Sequence, residues 1–580
     1  MTESDLASIA AVDSPAEVRA LPESLLPALC ARLREEIISV CGAVGGHLGA
    51  SLGAVELIVA LHRVFHSPRD RLLFDVGHQA YAHKLLTGRR TSMHTLRQEG
   101  GVAPFLDPTE SAHDAFGAGH ACTAVSLAHG MARARALQQR AGHVVAIVGD
   151  GALTGGMTFE ALNAIGGEGL PLTVLVNDNG MSISQNVGAI PALLAEGGAR
   201  GFFEALGFTY LGPLDGHDLG ALVAALTEAR ASRKPVVVHA RTQKGRGFPP
   251  AEADPTTRGH AMGPYVWREG KLVRARPGHK TYSEGFADAL SRWMEADPRI
   301  VAVTPAMLEG SALSGLKARF PTRVFDVGIA EQHAVTFSAG LAAEGMRPVC
   351  LIYSTFLQRG VDQVIHDVCL PELPVIFAVD RAGLVGADGA THQGAFDLSM
   401  FRGVPNLTMA APVFAEDLSA MLSSALEAGG AWMLRFPRAI LPQVPAPPPD
   451  DGRGARWLKQ VGSPCLTIVS LGPLGLAALE AAEGEPWSVL DARFLRPLDR
   501  AALRRAAACG ALLTVEEGVA GGLGAAVLEA LSDEGLQPVT RCLTLPDAFV
   551  RHGEVHAQRA RMGLDAEGIR KAARALLGDA

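Results

Sequence analysis

The stretch "VVAIVGDGALTGG", residues 144–156, decides the fold class. Five apolar, mostly β-branched residues run straight into glycines, and a single acid, Asp150, sits in the turn. The pattern predicts a buried strand whose end lets loop backbone approach a ligand, because glycine tolerates contacts and backbone angles that side chains forbid. Phosphate is the expected guest. The spacing from Gly151 to Gly156 imitates a P-loop, yet Met157 stands where the phosphate-binding lysine belongs. Gly149 and Gly151 open a dinucleotide turn, but Thr154 takes the place of its third glycine. A third reading has Asp150 hold Mg²⁺ beside a diphosphate; Mg²⁺ demands octahedral oxygen ligands, so it needs a second piece.

That piece lies downstream, where "LPLTVLVNDNG" (170–180) repeats the arrangement: an apolar run from Leu172 to Val176 that ends in Asn177-Asp178-Asn179. A helical pattern through Met157 to Ile165 joins the two runs, so they form a βαβ crossover with parallel strands ending on the same side. Asp150 and Asn179 are thereby expected on one edge. Gly-Asp-Gly with a later Asn at such an edge resembles the thiamine diphosphate motif of transketolase-like enzymes; a polar strand end with no ligand is the alternative.

At 580 residues the chain exceeds a single core, and domains of about 100 to 200 residues predict three or more. A net charge of −8 gives no basic field for nucleic acid, and no Lys/Arg block marks a membrane surface, so the expected partners are small molecules. "MTESDLASIAAVDSPAEV" (1–18) has neither the basic nor the apolar region of a secretory signal, and no apolar run reaches the ~18 residues of a membrane span, which points to the cytoplasm. The cysteines at 30, 41, 122, 350, 369, 465, 509 and 542 form no C-x-x-C pair and read as small core residues of a reducing compartment.

Strand-like runs followed by helical patterns recur at 235–240, 300–303, 348–353, 374–380, 465–472, 488–494 and 511–517, the signature of an α/β protein with several mostly parallel sheets covered by helices. Two breaks divide the chain. Residues 249–270, "PPAEADPTTRGHAMGPYVWREG", are polar, interrupted by Pro and Gly, and unlike an element interior; "PQVPAPPPDDGRG" (442–454) reads as a proline-rich linker. The proposed domains are 1–280, 281–440 and 455–580, with a linker at 441–454.

The first domain carries His47, His78 and His120 in glycine-rich settings beside the predicted diphosphate site. In the second, "FDVGIAEQHAVTFSAGLA" (325–342) places Glu331 after a strand and at the opening of a helix, where the helix dipole favours a carboxylate. "IYSTFLQRGVDQVIHD" (352–367) and "DRAGLVGADGATHQGAFD" (380–397) intersperse Tyr353, Phe356, Arg359, Arg381, Asp388 and His392 with glycines, as in a loop wrapped around a ligand.

Over nearly its whole length the sequence resembles the 1-deoxy-D-xylulose-5-phosphate synthase family, carried by "FDVGHQAY", "LGPLDGHD", "AEQHAVTF", "YSTFLQR", "DRAGLVGADG", "THQGAFD" and "DARFLRPLD". The resemblance implies a transketolase-like, thiamine diphosphate-binding fold of three domains: diphosphate/Mg²⁺-binding, aminopyrimidine-binding and transketolase C-terminal-like. It implies a transferase that joins pyruvate, with loss of CO₂, to D-glyceraldehyde 3-phosphate. Asp150, Asn179 and the Met181 carbonyl would be Mg²⁺ ligands. His78, Gly119-His120-Ala121, Gly151-Ala152 and Asn179 would hold the diphosphate arm of thiamine diphosphate, with Phe248 and Phe356 on its rings and Glu331 at N1′ of the aminopyrimidine. His47, His260 and His392 are candidates for proton transfer at substrate oxygens. Tyr353, Arg359 and Arg438 match phosphate-contacting positions, with Arg381 and Asp388 close to the substrate. A homodimer is implied, with the third domain at its interface.

Three positions depart from the family pattern: Ala121 where serine is usual, Phe248 where a hydroxylated aromatic is usual, and a connection "PALLAEGGAR" (191–200) several helical turns shorter than the flap expected to move over the site. The rivals are a related carboligase with another acceptor and a silent paralogue serving as a binding subunit.

Overall fold

The apolar run at 144–149 is the second strand of a five-stranded parallel sheet whose spatial order is Arg71–Phe74, Val144–Gly149, Thr173–Asp178, Val236–Arg241, Thr209–Asp215. The computed structural model describes residues 2–268, 271–274, 278–444 and 454–578. Val144 to Val148 are all 2% exposed or less. Each valine and isoleucine among them contributes about 1.5 to 3 kcal/mol of gross burial, which fixes the strand inside the sheet rather than at an edge. Gly149 lies opposite Asn177 in the ladder, so the two strands end level, and the crossover helix Gly156–Glu168 returns between them. Gly169, at φ +63°, closes that helix with the left-handed cap that glycine accepts most readily.

The chain forms two compact units, 1–276 with 328–330, and 277–327 with 331–580. The second opens on a reciprocal cap: Thr281 Oγ accepts the Glu284 N–H at 3.2 Å while the Glu284 carboxylate accepts the Thr281 N–H at 2.8 Å, starting the helix Tyr282–Ala296. It holds two sheets. One runs Phe494–Arg496, Leu407–Ala410, Ala431–Arg435, Ile376–Asp380, Arg347–Tyr353, Ile300–Thr304, Val324–Asp326 and is parallel except for its first strand. The other runs Arg456–Lys459, Trp487–Asp491, Leu466–Ser470, Ala511–Val515, Val539–Leu543, with only its first strand antiparallel. The α/β class is as the alternating pattern requires.

Several expectations change. The described part of the stretch 249–270 is structured: a short helix Pro249–Glu252 precedes the strand Tyr265–Arg268, which pairs antiparallel with Lys271–Arg274, and the buried Tyr265 donates its hydroxyl to Ile38 O at 3.0 Å. The run 488–494 is two strands, because Arg493 at φ +54° breaks it. The shortened connection, mostly exposed, lies in the helix Ala189–Ala195 and the start of Ala199–Ala205; it buries Leu194 and Ala199, and Arg241 donates to Leu194 O and Ala195 O at 2.8 and 2.9 Å. Cys30, Cys41, Cys122, Cys350 and Cys369 are buried, but Cys465 and Cys542 are exposed. Most of the linker placed at 441–454 lies outside the described residues. Among the described residues no helix is long and apolar enough to cross a membrane.

Candidate active site

Asp150 begins the tight turn Asp150–Thr154 at the carboxyl end of its strand and is 2% exposed. Its Oδ2 accepts the Asn186 side-chain N–H at 2.7 Å, while Oδ1 is buried without a hydrogen-bond partner. Burial, reinforced by the charge of Asp178, pushes its carboxyl up to about 7. A buried carboxylate with an open oxygen is costly unless something cationic completes it.

Asn179 follows the neighbouring strand, and its Oδ1 accepts the Met181 N–H at 3.1 Å, curling the loop 179–186. Asn179, Gly180, Met181, Asn186, Thr242 and Lys244 line a cavity of about 560 Å³. A Cβ on Gly151 would stand 2.9 Å from Ser182 Cβ, so only glycine lets the two loops approach this closely. Among the described residues no group of three or more His, Cys, Asp or Glu side chains could hold a metal ion. The Asp150 carboxylate, the Asn179 amide and the Met181 carbonyl would offer oxygen donors alone, a set suited to a hard divalent cation that takes its remaining ligands from phosphate or water.

His47, His78 and His260 pack together, with ring centroids 5.2 to 5.9 Å apart, and Phe105 adds a fourth ring 5.3 Å from His47. Burial lowers the His78 pKa to about 3 and that of His260 well below its ordinary value, which keeps both rings neutral. Nδ1 of each lies buried without a partner. The turn bearing Gly119, His120 and Ala121 is held by Asp75, whose carboxylate accepts the N–H groups of Cys122 and Ala124 at 2.8 and 3.0 Å at the start of the helix Ala124–Leu137. Ala152 is 4% exposed in the turn after Asp150. Phe248 packs on Tyr265, 5.8 Å between centroids, within the hydrophobic core.

In the second unit, Glu331 is the first residue of the helix Glu331–Ala343 and is 4% exposed. Burial raises its carboxyl, and the Arg359 guanidinium at 3.4 Å opposes that rise. Arg359 thus meets an acid rather than standing apart as a pure phosphate ligand. Arg381, Tyr353, Phe356 and His392 form a column. The Arg381 guanidinium lies 4.3 Å over the Tyr353 ring, Tyr353 stacks on Phe356 at 5.3 Å, and the His392 ring meets Phe356 edge-on at 5.7 Å. Arg381 is anchored by Asp380 at 2.5 Å and Ser283 at 2.9 Å. Arg438, half-exposed, pairs with Asp388 at 3.2 Å.

Asp75, Asn186 and Lys244 carry no role in the sequence reading. Each sits inside a quoted or adjoining motif, but a motif does not say which of its side chains turns inward. Lys244 is 2% exposed, donates to Ser182 O and Ile183 O at 2.6 and 3.3 Å, and is lowered to about 7 by burial.

The family model described as 1-deoxy-D-xylulose-5-phosphate synthase matches residues 9–200 and 198–242, that of the transketolase pyrimidine binding domain 279–443, and that of the transketolase C-terminal domain 455–569. A curated 1-deoxy-D-xylulose-5-phosphate synthase of Myxococcus xanthus (strain DK1622) is 66% identical over 576 residues, covering 98% of each chain. Those of Anaeromyxobacter dehalogenans (strain 2CP-C) and Thermus thermophilus are 49% and 45% identical, over 98% and 97% of this chain and 98% of each of theirs. Similarity of this depth, running through both units and both clusters of side chains, means that the chain belongs to the 1-deoxy-D-xylulose-5-phosphate synthase family.

Proposed function

We infer that the chain is a thiamine diphosphate-dependent transferase that condenses pyruvate, with loss of CO₂, with D-glyceraldehyde 3-phosphate to give 1-deoxy-D-xylulose 5-phosphate, a precursor for isoprenoids. The observation that carries this reading, in a chain of this family, is the Asp150 carboxyl, buried with Oδ1 lacking a hydrogen-bond partner, beside the backbone of Asn179 and Gly180. An oxygen-only set of this kind fits Mg²⁺ carrying a diphosphate.

In the first unit, Asp150, Asn179 and the Met181 carbonyl hold Mg²⁺. His78, the Gly119-His120-Ala121 turn and Gly151-Ala152 bind the diphosphate arm, neutral imidazoles and backbone N–H groups serving as donors. Phe248, packed on Tyr265, contributes an aromatic ring to the cofactor site. His47 and His260 hold and move protons at substrate oxygens. In the second unit, Glu331 holds a proton at N1′ of the aminopyrimidine, Phe356 offers a ring face to it, and His392 serves a substrate oxygen. Tyr353, Arg359 and Arg438 bind the acceptor's phosphate, Arg438 exchanging Asp388 for it, while Arg381 and Asp388 orient the substrate. When bound, the cofactor supplies the nucleophilic carbon that takes up pyruvate and the electron sink that lets CO₂ leave.

The domain limits 1–280, 281–440 and 455–580, a cytoplasmic location and a homodimer complete the reading. Its test is CO₂ release from pyruvate by purified protein with thiamine diphosphate and Mg²⁺, with and without D-glyceraldehyde 3-phosphate, and identification of the sugar product. Aldehyde-dependent release with a deoxypentulose phosphate formed supports it; cofactor binding without decarboxylation refutes it.

A further inference from the structure

Two side chains outside the ligand set hold the loop that carries Asn179 and Met181. Asn186, at the far end of that loop, donates to Asp150 Oδ2 at 2.7 Å and so selects which oxygen of the carboxylate is left open. Lys244, from the segment after the strand Val236–Arg241, donates to Ser182 O at 2.6 Å and Ile183 O at 3.3 Å. Within the loop the bonds are short-range: Met181 N–H to Asn179 Oδ1, Ser182 N–H to Ser184 O at 2.9 Å, and Asn186 N–H to Gly180 O at 3.1 Å. They set its curl, and the backbone at Asn179 and Gly180 faces the Asp150 carboxyl. Asn186 and Lys244 add the side-chain ties that fix the rest of the loop.

A buried lysine that spends its ammonium on two backbone carbonyls also withdraws those carbonyls from any cation nearby. The loop offers several carbonyl oxygens, and a six-coordinate ion takes few of them. We propose that Asn186 and Lys244 are positioning residues for the divalent cation: Asn186 presents Asp150 Oδ1, and Lys244 fixes the loop so that Asn179 and the Met181 carbonyl, rather than Ser182 or Ile183, face the ion. The proposal rests on the reading of Asp150, Asn179 and Met181 as Mg²⁺ ligands.

The test titrates thiamine diphosphate binding against Mg²⁺ by calorimetry, without substrate, in the parent protein and in Asn186→Ala, Lys244→Met, Lys244→Arg and Asp150→Ala. Partners of metal ligands are typically worth about 10- to 100-fold in metal affinity. The expected result is that Asn186→Ala and Lys244→Met raise the Mg²⁺ needed for half-saturation by that factor and regain full cofactor binding at high Mg²⁺. Lys244→Arg recovers part of the loss. A Mg²⁺ requirement equal to the parent's in Asn186→Ala overturns the proposal, and Asn186→Ala decides alone if Lys244→Met does not fold. A parent without Mg²⁺ dependence, or Asp150→Ala with the parental dependence, removes the ligand reading and this proposal with it; a dependent parent beside an unchanged Asn186→Ala removes only this proposal.

Discussion

The Arg359 guanidinium stands 3.4 Å from the Glu331 carboxylate, and both side chains are largely buried. Burial favours the protonated acid and the guanidinium favours the ionised one, so this contact sets the proton affinity of the group proposed to serve N1′.

Glu331→Ala is expected to cut kcat by at least about 10²-fold, the lower range for a general acid-base group, while thiamine diphosphate and Mg²⁺ still bind. Steady-state turnover set beside equilibrium cofactor binding checks it. Near-parental turnover would rule out the assignment.

Arg359→Met removes the cation that lowers the Glu331 pKa. The carboxyl then titrates at a higher pH, and because the proposed role needs it protonated at N1′, the alkaline limb of the kcat profile moves upward. A profile from about pH 5 to about pH 9 reads the shift directly. An unmoved limb accompanied by a raised KM for the phosphorylated aldehyde would mean that Arg359 acts on phosphate alone.

Arg438→Ala removes the 3.2 Å contact to Asp388 and one of the two guanidinium groups proposed for the acceptor's phosphate. Charge-assisted hydrogen bonds contribute about 1.5 to 3 kcal/mol, so KM for D-glyceraldehyde 3-phosphate should rise roughly 10- to 100-fold with little change for pyruvate. Equal effects on both substrates would contradict the role.

Acid should weaken the first unit through Glu56. Burial raises this carboxyl, but hydrogen bonds from His217 at 3.0 Å and from Arg34 outweigh it and hold the group at about 2, below its ordinary 4.5. A depressed folded-state value stabilises above the unfolded pKa and is lost as pH falls through the folded one. The contribution is therefore full at neutral pH and disappears between about pH 4.5 and about pH 2; by linkage it is on the order of 3 kcal/mol. Glu56→Gln should lower Tm at pH 7 and narrow its gap to the parent on acidification, as calorimetric melts would show.

The sequence disclosed the strands that are apolar throughout. Runs such as 144–148 and 300–303 announce themselves because central parallel strands are buried on both faces, and the level ends of two of them brought Asp150 and Asn179 to one edge. Strands with mixed patterns were not legible. Thr209–Asp215 and Val539–Leu543 are edge strands with exposed faces, and the paired strands 265–268 and 271–274 are hidden by surrounding Pro and Gly. The candidate residues were found through motifs, whereas their partners were not. Nothing local says that Asn186 reaches Asp150 across 36 positions or that Lys244 turns into the core. Those pairings are products of the fold, and no spacing rule encodes them.

The strand Phe494–Arg496 lies past the proline-rich segment in sequence but hydrogen-bonds antiparallel to Leu407–Ala410 in the neighbouring sheet. A fragment cut at that segment would therefore lose its outermost strand and bare a raw ladder edge, a template for intermolecular pairing. Dissection for separate expression should carry residues 278–578 as a single piece, since the cut that composition suggests runs through a shared sheet.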